Sequence, residues 1–122
     1  MATASGDTTV TPEDAWVLSR PSADTQRPIG VVLGSPAPFD GALSRVGNQE
    51  RDPFTTPVST TGHEANFVGY VNTVTVSAGE TRSLLHYVHA GQTGAAATAA
   101  ASEHLVALSA APSLTGLDPA QL

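Results

Sequence analysis

Four histidines and eleven carboxylates are the side chains with which this chain could do acid–base or metal chemistry, since it has no cysteine. That absence excludes disulfides, thiolate metal centres and cysteine nucleophiles. His63-Glu64 opens like the zinc-peptidase motif, but that chemistry needs a second histidine one helical turn on, where Phe67 stands. His86 and His89 are three apart on an expected strand, so they face opposite sides and do not readily close on one ion. His104 lies beside Glu103 on an expected helix and is expected to be solvated. A site built from His63, Glu64 and one of the histidines His86 or His89 would depend wholly on folding to bring them together. The default for these histidines is a surface or half-buried position bonded to backbone.

Serines are plentiful, yet no G-x-S-x-G nucleophile elbow occurs. Phosphate-cradling loops of the GxGxxG or GxxxxGK[ST] type are also missing. Asp24, Asp40, Glu50 and Asp52 fall in expected loops and could offer oxygen ligands to calcium, but they form no D-x-D-x-D run. The sequence therefore assigns no catalytic and no cofactor-binding residue, expects no enzyme, and leaves metal binding open.

The charge balance narrows the partners. Eleven acidic residues face five basic ones, all arginine (Arg20, Arg27, Arg45, Arg51, Arg82), for a net charge of −6. Nucleic acid needs a basic patch to neutralise phosphate, and an anionic membrane surface needs the same. Neither fits. No apolar run approaches the roughly 20 residues that span a bilayer. Residues 1–16 carry neither the basic region nor the apolar core of a signal peptide. An exported protein would accordingly be represented here by an excised domain or a mature form.

At 122 residues the chain is the size of one domain. Only 13% of residues are charged, about half the usual ~25%, and small and hydroxyl-bearing residues take their place. That composition suits a mainly β protein with many turns. The spacing predicts an antiparallel β-sandwich over residues 14–92, preceded by a flexible segment or edge strand (1–13) and followed by a helical segment (93–122).

Within the sandwich, residues 66–90 (NFVGYVNTVTVSAGETRSLLHYVHA) predict two long strands joined by a tight turn. Val68, Tyr70, Val74 and Val76 sit at even spacing on one strand face. Ser77-Ala78-Gly79-Glu80 then breaks the pattern with a glycine suited to positive φ. Further strands are expected at 8–11 on the edge, at 14–20 around the single tryptophan Trp16, at 29–33 (IGVVL) and at 42–46. Trp16 is expected to anchor the core. Phe54 and Val58 are expected to tuck into it, and residues 48–52 to form a polar loop tip. The alanine-rich run from Thr93 predicts a helix with a stripe of Leu105, Val106 and Leu108, capped by Thr93 or Gly94 and stopped by Pro112. Asp118-Pro119 has the form of a further helix start, as though the chain continued into another element.

One stretch carries a resemblance. Val76-Ser77-Ala78-Gly79-Glu80-Thr81, then Leu84-Leu85-His86-Tyr87-Val88, then the alanine-rich helix and Leu114-Thr115-Gly116-Leu117, follow a recurrent order. It is similar to β-sandwich modules of large secreted bacterial multidomain proteins. There a V-x-A-G-x-T strand end leads into an L-L-H-F-V strand, a helix and an L-x-G-L turn. The resemblance implies an accessory domain, extracellular or at the cell surface, with no catalytic residues to carry over. The expected function is a non-catalytic structural module acting through protein contacts with neighbouring domains or with copies of itself. The alternatives are a self-assembling subunit of a virion, shell or filament, and a carbohydrate- or protein-binding module. The last would need exposed aromatics, which Trp16, Tyr70 and Tyr87 on strands do not promise.

Overall fold

A computed structural model of the chain describes residues 1–19, 23–33, 42–48 and 67–118. Six strands and one helix follow in order: β1 (Ala2–Thr3), β2 (Trp16–Leu18), β3 (Ile29–Val32), β4 (Ala42–Asn48), β5 (Val68–Thr73), β6 (Tyr87–Ala90) and α1 (Ala97–Ala110). Four strands form an antiparallel sheet in the order β1-β2-β3-β6, and β4 pairs with β5 in a separate two-stranded ribbon. The domain is thus a small mixed α and β unit with its helix at the C-terminal end. No described helix is long and apolar enough to cross a membrane.

The sheet has two unlike faces because side chains alternate along each strand. Trp16, Leu18 and Val32 point to one face and form a cluster with Ala2 of β1 and with Ala101 and Leu105 of the helix. Val17 points to the other, where it is buried with Val10 and Leu33 against Met1, Val31, Val68 and Tyr70. Trp16 is a core residue, as its sequence context predicts.

The helix is built for close approach. Ala97, Ala101, Leu105 and Ser109 recur every four residues and are its buried positions, so a seam of small side chains with one leucine faces the sheet. Val106, expected in that stripe, is 52% exposed. Leu105 occupies the space above Gly30 on β3, where any Cβ would collide with its side-chain carbons. Gly30 is therefore a notch and Leu105 the knob that fills it. The sequence expectation of a Thr93 or Gly94 cap is corrected: Ala96 is the N-cap and offers no side-chain bond. The helix entry is held by backbone instead, since Gly94 N–H donates to the Asp24 carbonyl at 2.8 Å and Ala97 N–H to the Gly94 carbonyl at 3.0 Å.

The expected hairpin of residues 66–90 does not form. A turn does occur where predicted, with Gly79 at φ 83° and Glu80 N–H bonded to the Ser77 carbonyl. Its flanks are not partners: β5 ends at Thr73 and pairs with β4, whereas β6 begins at Tyr87 and pairs with β3. Local turn chemistry was right, but pairing was decided by the sheets on either side. The edge strand expected at 8–11 is likewise replaced by the shorter β1, paired with β2. Phe54, Val58 and the Asp118-Pro119 helix start past Asp118 lie outside the described residues.

Buried polar groups tie the N-terminal segment down. Asn48, expected at a loop tip, ends β4 fully buried, accepts from Val10 N–H at 2.9 Å and donates to the Thr8 carbonyl at 3.1 Å. Asp14 is buried and accepts from Ser5 N–H, Thr11 N–H and the Thr11 hydroxyl at 2.8–3.1 Å. Burial alone would raise its pKa, but the hydrogen bonds from Thr11 and Ser5 outweigh that and hold it below the ordinary value of 3.8.

Two expected outcomes follow for stability, both measured by urea unfolding. Gly30→Ala destabilises the fold by about 1–3 kcal/mol through overpacking, and pairing it with Leu105→Ala costs less than the sum of the two single changes. Asp14→Ala costs about 1–3 kcal/mol at neutral pH by orphaning buried N–H donors. A depressed carboxylate stabilises above its unfolded pKa and loses that contribution as pH falls through the folded value, so Asp14→Ala also flattens the acid limb below about pH 4.

Candidate functional site

Strand β6 brings His89 into defined surroundings. Tyr87 and His89 are its half-buried residues, and Val88 and Ala90 are exposed. Tyr87 packs against the helix-side core and its hydroxyl donates to the Ser113 carbonyl beyond the helix. His89 lies opposite Gly30 in the register with β3. Because Leu105 of α1 fills the Gly30 notch, its neighbour His104 is delivered to the same place. The two imidazole rings stand 4.5 Å apart between centroids, tilted by 37°.

His104 is exposed, as expected, but its ring lies against that of His89 rather than standing alone in solvent. Neither ring has a hydrogen-bond partner among the described residues. Burial, and then the nearby His104, push the His89 pKa below its ordinary 6.5, so at neutral pH this imidazole is uncharged with a free lone pair.

His86 belongs to a different neighbourhood. It precedes β6, lies 5.6 Å from the Tyr70 ring between centroids, and its Nε2 is 3.2 Å from the Asn72 amide nitrogen. Both of those partners are on β5, so His86 links the chain before β6 to the ribbon. The fold thus separates His86 from His89 by binding one to β5 and the other to α1. His63, Glu64, Asp40, Glu50 and Asp52 lie outside the described residues. Asp24 is exposed at the surface, and its carbonyl serves the helix entry. Among the described residues no three His, Asp or Glu side chains converge as a ready metal cage.

Among the described residues, the His89–His104 pair is a close meeting of two metal-capable side chains that their positions in the sequence do not foretell. Fifteen positions separate the two, and nothing local links them. A usable signal did exist: His104 precedes the one leucine at the centre of an otherwise alanine-lined seam. Comparison with known protein families, curated proteins and solved structures finds no match.

The pair makes a pH dependence. A histidine whose folded pKa is depressed stabilises the fold above pH 6.5, and that contribution is lost as pH falls through the lowered folded value. Between pH 7 and 5 the thermal midpoint of the chain is expected to drop, and His89→Gln is expected to shrink that drop. An unchanged pH profile in the variant would show that His89 does not titrate with folding.

Proposed function

We propose that the chain is a non-catalytic structural module of an exported or surface protein, acting through protein contacts, with the architecture of a β-sandwich whose second layer is the β4–β5 ribbon. The observation that carries this reading is the apolar strip on β3 and β6. Val88 is 71% exposed and Ile29 43%, on the sheet face opposite the helix, and they are diagonal neighbours in the register. β6 is also the end strand of the sheet order among the described residues, and its outer edge lies beside that strip. An apolar face beside an outer strand edge is a surface suited to another protein chain.

The contact of Val68 and Tyr70 with the Val17 cluster supports the layered architecture. Likeness of residues 73–88 to secreted bacterial modules supports the exported location. A carbohydrate-stacking role for Trp16 is disfavoured, because its side chain is buried in the core.

Light scattering of the purified chain across a concentration series tests the reading. Assemblies that Val88→Lys dissolves assign the strip to copies of this chain, and a monomer of 12.4 kDa throughout assigns it to neighbouring domains. Assemblies that Val88→Lys leaves intact would sink the strip as the contact surface. A measured turnover lost on substituting His63, Glu64 or His86 would overturn the non-catalytic reading.

A further inference from the structure

We propose that His89 and His104 form an open two-imidazole site for a late first-row divalent metal ion, with copper(II) held most tightly. An ion about 2.0–2.1 Å from one nitrogen of each ring lies roughly 3.2 Å from each ring centroid, and a right angle between the two ligands then sets the centroids about 4.5 Å apart. That is the separation between His89 and His104. The separation accommodates a cis arrangement, the one that tetragonal copper(II) and nickel(II) use, and imidazole is a favoured ligand for both.

Availability of the ligands agrees with the metric. The ring nitrogens of both residues are unclaimed by hydrogen bonds among the described residues, so no protein contact must be broken to coordinate. His104 is exposed and leaves the ion a route from solvent, with water to complete its coordination. A net charge of −6 draws cations to the surface as a whole.

Rigidity completes the case. His89 stands on a strand paired with β3, and His104 on a helix docked onto the same strand through Leu105 and Gly30. The two ligands come from elements that meet only in the folded chain, so the ion binds the native state and stabilises it.

The test is titration of the full chain with copper(II) at neutral pH, followed by calorimetry and electron paramagnetic resonance. One ion per chain with two imidazole nitrogens is expected. His104→Ala and His89→Gln are each expected to weaken binding by roughly tenfold or more, at least the cost of losing an outer-shell partner, and His86→Ala to leave it unchanged. Copper(II) is expected to raise the thermal midpoint of the wild-type chain and not of His104→Ala. Position 104 is an exposed helix site that accepts alanine readily, so that variant remains folded and the comparison holds. Binding that survives both His104→Ala and His89→Gln, or no binding at all, would overturn the proposal.

Discussion

The fit of Leu105 into the notch at Gly30 is the contact on which the rest of the arrangement depends. A fully buried leucine contributes about 1.5–3 kcal/mol, and it does so only because β3 presents no side chain beneath it. An alanine seam by itself buries little area and would leave the helix free to slide. One knob in one hole fixes both the height and the rotation of α1 on the sheet. Everything the helix carries inherits that position, including His104.

Against this, the opposite face of the sheet is held in a different way. Its apolar cluster is small, centred on Val10, Val17 and Leu33, and polar anchors supplement it. Asn48 reaches from the ribbon to the backbone of Thr8 and Val10, and Asp14 gathers Ser5 and Thr11. These bonds fix a segment that carries almost no regular structure. Buried amide and carboxylate groups are tolerated because each meets several donors or acceptors, which offsets the cost of taking them out of water. The sheet is thus clamped by packing on one side and by directed hydrogen bonds on the other, with β6 as its end strand among the described residues.

Much of the secondary structure was legible. The short apolar run at Ile29–Val32 and the strand around Trp16 formed as their composition required, and so did Ala42–Asn48 and the alanine-rich helix. Across Gly79 the even spacing of valines predicts a hairpin, yet that spacing does not become continuous pairing. Gly79 supplies the turn, but residues between Thr73 and Tyr87 do not join a ladder, and each flank finds a strand distant in sequence. Asn48 departs from the expected loop tip for a related reason: its polar neighbours suit a loop, and its buried partners, Thr8 and Val10, lie far away in sequence.

What the sequence by itself determined was the local menu: which residues extend, which coil, which turn, and, with no cysteine, that no disulfide can form. Periodicity, glycine conformation and side-chain chemistry act over a few residues, so they can be read directly. Tertiary structure alone decided which strands became neighbours, which face of the helix was covered, and which histidines met. Those outcomes depend on packing between segments tens of residues apart. His89 and His104 illustrate the division: each is unremarked in its own stretch of chain, and the docking of a helix through Leu105 makes them a pair.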